Sequence, residues 1–140
     1  MKGFTQIFGI DYKETFLPIA RFETVCLVLA LAALHDWEIT GLDVKTAFLF
    51  DKLDEEIYMV QSEGFIVKGQ ESKVCHLQKA IYGLKQAALQ WNKLLHKSLV
   101  DFSFKRCPSD SSVYVKFIGK DIILIVIYVD DALFLDSNKL

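Results

Sequence analysis

Residues 122–131 have the sequence Ile-Ile-Leu-Ile-Val-Ile-Tyr-Val-Asp-Asp, and this stretch decides which fold the chain can adopt. Its first eight positions are aliphatic or aromatic, so they predict a central strand that is covered by helices. Asp130 and Asp131 then interrupt the apolar run, which resumes over residues 132–135. We therefore predict a β-hairpin with two acidic residues at its tip.

The rest of the chain alternates predicted helices and strands. Apolar residues at three- and four-residue spacing predict a helix over residues 86–102, and a run that is apolar almost all round predicts a buried helix over residues 21–35. Short β-rich runs predict strands at residues 37–44, 57–60, 74–77 and 113–117, with a helical turn at 46–49. The predicted fold is α+β, an antiparallel sheet with helices packed on one face.

Length and composition indicate one globular domain, because 140 residues with 52% hydrophobic content can bury a sizeable core and no linker-like stretch divides them. The longest apolar runs fall well short of the roughly 20 residues that a membrane-spanning helix needs. The first residues lack the apolar segment of a signal peptide, so we expect an intracellular protein, in a cytoplasmic particle or the nucleus. Three widely spaced cysteines argue against a disulfide framework or a zinc site.

Charge is distributed unevenly, although the net charge is only −2. Residues 36–56 contain seven acidic residues and two lysines, whereas residues 68–106 contain eight basic residues and two acidic ones. The basic segment is suited to a phosphate backbone, and it is equally compatible with an ordinary solvated surface.

The strand predicted at residues 37–44 contains a third acid, Asp43, near its end. If this strand lies beside the hairpin, Asp43, Asp130 and Asp131 converge although they are distant in sequence. Carboxylate oxygens are the ligands that Mg²⁺ prefers, and it needs only one or two of them when water and substrate phosphates complete its shell. Paired aspartates at a turn are also common for structural reasons alone, so the pair by itself does not decide the function.

The sequence around the acids resembles a known family. Residues 128–131, Tyr-Val-Asp-Asp, match the tyrosine-x-aspartate-aspartate signature of reverse transcriptases. Three further segments occur in family order, Leu-Asp-Val-Lys-Thr-Ala-Phe-Leu at 42–49, Asp-Glu-Glu-Ile-Tyr-Met at 54–59 and Ile-Tyr-Gly-Leu-Lys-Gln-Ala at 81–87. Together they resemble the copia-type branch of LTR-retrotransposon reverse transcriptases.

The resemblance implies a catalytic mechanism. Asp43, Asp130 and Asp131 would be the catalytic, metal-binding acids, with Asp43 and Asp130 as principal ligands of two Mg²⁺ ions, or of Mn²⁺ in their place. A primer 3′-hydroxyl would attack the α-phosphate of a bound deoxynucleoside triphosphate, as in other two-metal phosphoryl transfers.

Four further residues take roles from the resemblance. Phe48 would exclude a ribose 2′-hydroxyl, Lys85 and Gln86 would contact the incoming nucleotide, and Tyr128 would touch the primer. From the residues alone, Phe48 is better interpreted as a core aromatic, and Lys85 and Gln86 as the N-terminal edge of an amphipathic helix.

The resemblance also implies a domain organisation. Residues 1–140 would form the polymerase palm, with a ferredoxin-like core and part of the fingers, while the N-terminal fingers segment, the thumb and RNase H would be absent. Partners would be an RNA or DNA template with its primer, deoxynucleoside triphosphates and the rest of a polyprotein, with no membrane. We expect little polymerase activity from the isolated chain, because contacts to duplex phosphates supply much of the affinity for nucleic acid.

Two alternatives remain open. The chain departs from the usual family pattern at residues 88–92, where Ala-Leu-Gln-Trp-Asn replaces a segment with a proline and a basic residue. A catalytically inactive remnant, acting at most as a nucleic-acid or protein interaction module, would retain the fold. Another metal-dependent phosphoryl-transfer enzyme, such as a nucleotide cyclase, would present similar paired acids, but the segment at 81–87 and Phe48 favour the polymerase.

Overall fold

The computed structural model describes residues 3–50 and 52–138, so Asp51, one of the acids of the segment 36–56, lies outside the described residues. The chain forms two compact units, each built from two stretches of sequence. Unit 1 comprises the described residues up to Thr15 together with Phe48–Trp91. Unit 2 comprises Phe16–Ala47 together with the described residues from Asn92 onward.

Unit 2 is built on a five-stranded antiparallel sheet, which consists of β1 (Glu38–Asp43), β4 (Lys105–Arg106), β5 (Val113–Ile118), β6 (Asp121–Tyr128) and β7 (Asp131–Asp136). Across the sheet the strands lie in the order β1-β7-β6-β5-β4. Helix α1 (Phe22–His35) belongs to this unit, and helix α2 (Ala87–Asp101) begins in unit 1 and ends in unit 2.

The two faces of this sheet are covered by different helices. On one face, Val28 and Ala32 of α1 pack with Val126 of β6. On the other face, Leu99 of α2 packs with Ile125 of β6. Successive residues of a strand point to opposite faces, so Ile125 and Val126 project to opposite sides of the sheet. The two helices therefore cover opposite faces. The prediction that both helices pack on one face is therefore wrong, because a strand apolar at every position needs cover on both sides.

The N-terminus of α1 is stabilised by an acid that is distant in sequence. Its N-cap residue, Arg21, makes no side-chain capping bond. Instead Asp110, only 7% exposed, accepts hydrogen bonds from the Arg21 backbone N–H at 3.2 Å, the Thr24 hydroxyl at 2.7 Å and the Ser112 backbone N–H at 3.0 Å. Burial opposes the charge of Asp110, but these hydrogen bonds outweigh it and hold the pKa of the carboxyl below its usual value.

Unit 1 contains a two-stranded antiparallel sheet of β2 (Tyr58–Val60) and β3 (Val74–His76). Its core gathers small and aliphatic residues, with Ile57, Ala80, Leu84 and Ala87 buried at its centre. In the N-terminal part of unit 1, the 3₁₀ turn Gly3–Thr5 lies against the loop before α2. The approach is so close that a Cβ atom added at Gly3 would lie 1.8 Å from the Gly83 carbonyl oxygen.

The predicted helices and strands are confirmed, with boundaries that shift by one or two residues. Two short elements, β4 and the 3₁₀ turn Gly3–Thr5, were not predicted from the sequence, because neither is long enough to show a periodic pattern. The three cysteines are free, as expected, although Cys26 and Cys75 are exposed. In the described part of the chain no helix is long and apolar enough to cross a membrane.

Candidate active site

The three predicted acids come together at one end of the sheet in unit 2. Asp43 is the last residue of β1, Asp131 is the first residue of β7, and these two are directly paired across the strands. Asp130 occupies the turn between β6 and β7, and its carbonyl oxygen accepts the Val44 backbone N–H at 3.0 Å. The predicted placement of strand 37–44 beside the hairpin is confirmed.

Pairing also decides which side chains share a face. Tyr128 pairs with Asp131, and Asp131 pairs with Asp43, so the three residues form one row across the sheet. Residues paired directly across antiparallel strands project to the same face, with Cβ atoms roughly 4.5–5.5 Å apart. Tyr128 is 54% exposed, and both acids of the row are exposed. The phenol and the two carboxylates therefore lie on one exposed face at this end of the sheet.

The carboxylates in this row carry like charges without compensation. Within the described residues, no hydrogen bond or ion pair engages the side chains of Asp43, Asp130 or Asp131. Like charges directly opposite each other on a sheet are destabilising, and a cation between them relieves the repulsion.

The donor set fits a hard divalent cation through two carboxylates. Asp43 and Asp131 place carboxylates on adjacent strands, and a bound Mg²⁺ would take its remaining ligands from water and phosphates. Across residues 3–50 and 52–138, no group of three or more His, Cys, Asp or Glu side chains is close enough to hold a metal ion. The structure therefore brings the backbones of three acids together without gathering their carboxylates into a three-ligand site.

Two residues close to the acids in sequence have strained backbone conformations. Val129, the first residue of the β6–β7 turn, has φ 59°, and Thr46, three residues after Asp43, has the same φ. Positive φ is uncommon outside glycine and is a true outlier for β-branched residues, costing on the order of 1–3 kcal/mol. Such strain clusters at functional sites, so it supports a functional interpretation of this end of the sheet.

A cleft of about 520 Å³ opens beside the acids. Its lining is mainly apolar, with Asp43, Asp131 and Tyr128 as its polar residues. The other lining residues come from α1, the segment before it and strands β1, β6 and β7: Ala20, Val25, Gly41, Leu42, Val126, Ala132 and Leu133. An apolar cleft with a few convergent polar groups is the usual form of a binding site.

The aromatic residue predicted to select deoxynucleotides lies in unit 1. Phe48 is half-buried against the core of that unit, and its ring centroid is 4.6 Å from that of Tyr82. Phe48 is thus a partly exposed aromatic residue in contact with a second ring, Tyr82.

Lys85 and Gln86 belong to a hydrogen-bonded group in unit 1, named here the glutamine cluster, of Gln6, Asp11, Tyr12, Lys85 and Gln86. Gln86 is 1% exposed, its Oε1 accepts from Gln6 Nε2 at 3.0 Å, and its Nε2 donates to the Asp11 carbonyl at 2.9 Å. Lys85 is exposed, and its Nζ lies 3.2 Å from the Tyr12 hydroxyl.

Sequence reasoning missed Gln6 and Tyr12. They lie 73 to 80 positions from their partners, and neither the spacing nor the residue types of the N-terminal segment single them out. Only the folded backbone brings these two segments into hydrogen-bonding distance.

Comparisons with known proteins agree with the motif resemblance. The model of the family described as "Reverse transcriptase (RNA-dependent DNA polymerase)" matches residues 1–140. The Pol polyprotein from the tobacco (Nicotiana tabacum) transposon TNT 1-94 is 44% identical over 140 residues, 99% of this chain and 10% of that protein. The Arabidopsis thaliana RE1 polyprotein is 42% identical over 132 residues, 94% of this chain and 9% of that protein.

A yeast (Saccharomyces cerevisiae) protein, the putative transposon Ty5-1 protein, is 38% identical over 92 residues, which are 66% of this chain and 30% of that protein. The chain thus spans about a tenth of the length of the plant polyproteins it matches. No solved structure gives a significant match. The family match over the whole length and the plant relatives confirm the resemblance, and the chain belongs to the reverse transcriptase family, on its copia-type retrotransposon branch.

Proposed function

We propose that this chain is the palm, with part of the fingers, of an RNA-directed DNA polymerase encoded within a retrotransposon polyprotein. Unit 2 carries the acids and is the palm, with the ferredoxin-like core that the family resemblance implies. Unit 1 is the portion of the fingers that this chain contains. The observation that carries the proposal is the row of Asp43, Asp131 and Tyr128 at an open edge of the sheet, beside the turn that contains Asp130.

The proposed reaction is nucleotidyl transfer onto a primer 3′-hydroxyl. Two divalent ions, Mg²⁺ or Mn²⁺, would when bound stabilise the charge that develops on the attacking and leaving oxygens. Asp43, Asp130 and Asp131 would hold them, through carboxylates that have no competing partner among the described residues. Tyr128, in line with Asp131, would contact the primer strand.

The incoming deoxynucleoside triphosphate is assigned to residues of unit 1. Phe48 would exclude a 2′-hydroxyl, and a substituent that collides with one substrate but not another gives selectivity by exclusion. The exposed ammonium of Lys85 would meet a phosphate. Gln86 was predicted to contact the nucleotide directly, but it is only 1% exposed, so it would instead support the site beside it. Partners would be a primed RNA or DNA template and the remaining segments of the polyprotein.

One observation favours a second candidate, an inactive remnant that serves as a nucleic-acid or protein interaction module. No three-ligand metal cluster exists among the described residues. The two candidates differ in whether the acids bind Mg²⁺ and support synthesis.

Primer extension on an RNA template with Mg²⁺ tests the proposal. The chain is assayed alone and in place of the matching stretch of the TNT 1-94 polyprotein, each with and without Asp130→Asn. We expect extension from the substituted polyprotein and a loss of at least about a thousandfold on Asp130→Asn. Asp121→Asn, at the far end of β6 from the acids, is the matched control and should retain activity. A folded substituted polyprotein that extends no primer would favour the inactive remnant.

A further inference from the structure

We propose that Gln6 is a positioning residue for the nucleotide site: it holds Lys85 and Gln86 in place, although it touches no nucleotide itself. The inference rests on the proposed nucleotide role of Lys85. It assigns a function to an N-terminal segment that the acids and the signature motifs leave without one.

Both ends of the Gln6 amide bond to the segment that carries the proposed nucleotide contacts. Its Oε1 accepts the Lys85 backbone N–H at 2.8 Å, and its Nε2 donates to Gln86 Oε1 at 3.0 Å. Its own backbone carbonyl accepts Lys85 Nζ at 3.3 Å. One residue thus contacts the backbone and ammonium of Lys85 and the amide of Gln86.

The glutamine cluster is sealed from water at its centre. Gln6 is 7% exposed and Gln86 is 1% exposed. A buried amide that loses its partner keeps the full cost of its desolvation, so the two side chains are strongly held in these positions. Gln86 is therefore oriented by Gln6 on one side and by the Asp11 carbonyl on the other.

The position of Gln6 is in turn determined by the backbone around it. The Gly3–Thr5 turn lies so close to Gly83 that a side chain at Gly3 would collide with the Gly83 carbonyl. The backbone N–H of Gln6 donates to the Gly3 carbonyl at 3.1 Å, which ties the glutamine to that turn. The N-terminal segment is therefore part of the unit 1 framework.

Tyr12 adds a second support for the same ammonium. Lys85 Nζ lies 4.9 Å from the centroid of the Tyr12 ring and 3.2 Å from its hydroxyl. A cation above an aromatic face gains attraction from the ring quadrupole. Gln6 and Tyr12 together restrict where the charge of Lys85 lies, which is what an anionic ligand needs from a preorganised site.

The test measures binding of dTTP to the full chain, by ³¹P NMR titration in the presence of Mg²⁺, for Gln6→Met, Lys85→Met and the double variant. We expect each single change to weaken binding by about tenfold, the equivalent of one lost hydrogen bond to a charged group. The double variant should be no weaker than Lys85→Met alone, because Gln6 acts through Lys85. A purely structural loss would instead add to the loss from Lys85→Met.

Gln90→Met is the matched control. Gln90 is an equally buried glutamine of unit 1, 4% exposed, whose amide donates to Asp54 at 2.9 Å. The change should lower the unfolding temperature and leave the affinity for dTTP unaltered. If Gln6→Met does not fold, Gln6→Asn replaces it, because its shorter amide cannot reach both Lys85 and Gln86, with an expected weakening of about tenfold that is again absent in the Lys85→Met background.

The outcomes separate the inference from the proposed function. Unaltered affinity in Lys85→Met, or no binding of dTTP by the folded chain, would remove the proposed nucleotide role of Lys85 itself. A weakened Lys85→Met variant with unaltered Gln6→Met, or unaltered Gln6→Asn in its place, would overturn the positioning role alone. Additive losses in the double variant would overturn it too.

Discussion

At the scale of single residues, the proposed site in unit 2 combines groups that lower the stability of the fold. Asp43 and Asp131 place like charges in direct register, and no cation among the described residues compensates them. Residues of this kind are expected where binding matters, since optimising them for stability would remove the activity they serve.

Asp131→Asn should therefore stabilise the metal-free chain, by about 0.5 kcal/mol, because it removes the repulsion between paired carboxylates. It should also remove the stabilisation that Mg²⁺ gives to the unaltered chain, since a cation that binds only the folded state raises its stability. Urea unfolding with and without Mg²⁺ measures both effects. Asp121→Asn serves as the control, and an equal Mg²⁺ response in all three proteins would contradict a metal site at this edge.

Asp110 gives the opposite case, an acid that the fold uses for stability. Its pKa is lowered in the folded chain, so the stability it contributes is present above the unfolded pKa and is lost as the pH falls through the folded value. Asp110→Ala should cost about 3 kcal/mol at pH 7, since three donors lose a charged acceptor. Urea midpoints measured from neutral pH to about pH 2 should show the difference between the two proteins shrinking with acid.

At the scale of elements, two hairpins with the same loop length use different residues. The β5–β6 hairpin turns through Gly119 and Lys120, and the β6–β7 hairpin turns through Val129 and Asp130. The first loop residue has positive φ in both, 62° at Gly119 and 59° at Val129. Glycine adopts this conformation without strain, whereas valine does not.

Exchanging these residues should have opposite effects. Val129→Gly should stabilise the chain by about 1 kcal/mol, since relief of strain exceeds the added entropy of the unfolded state. Gly119→Val should destabilise it by a similar or larger amount. Thermal unfolding of both variants measures the difference, and destabilisation by Val129→Gly would show that the valine side chain contributes more through its contacts than its backbone costs.

The helices and strands that could be predicted are those with a periodic pattern. The long apolar run of β6 predicted its central position, and the spacing within α2 predicted that helix. The sequence analysis placed both helices on one face of the sheet, which was wrong, although the absence of any polar residue at 122–127 already called for cover on both sides. The acids were identified from a local signature, whereas the glutamine cluster depends on contacts between distant segments.

At the scale of the whole molecule, α1 is unusual in being apolar nearly all round while only one side packs on the sheet of unit 2. Val28 and Ala32 are buried, whereas Leu27 is 60% exposed and Leu34 is 76% exposed. A helix of this composition is normally buried, and exposed apolar patches promote association.

We therefore expect the isolated chain to self-associate as its concentration rises. Replacing Leu27 and Leu34 by lysine should shift it toward the monomer without lowering its unfolding temperature by more than a few degrees, because neither side chain is in the core. Sedimentation velocity measures the shift. The matched control replaces Phe65, 82% exposed in unit 1, by lysine, and an equal shift in that variant would show that α1 is not the associating surface.

The turn between β6 and β7 consists of only two residues, Val129 and Asp130, and this limits the insertions that the chain can accept there. Surface hairpin loops commonly accept insertions, but here the loop length decides which residues of β7 stand opposite β6 and β1. One inserted residue that slipped the register would turn every side chain of β7 to the other face. Leu135, fully buried, would leave the core in the same step that separates Asp131 from Asp43. A change of register at this turn would therefore disrupt the Asp43–Asp131 pair and the hydrophobic core at the same time.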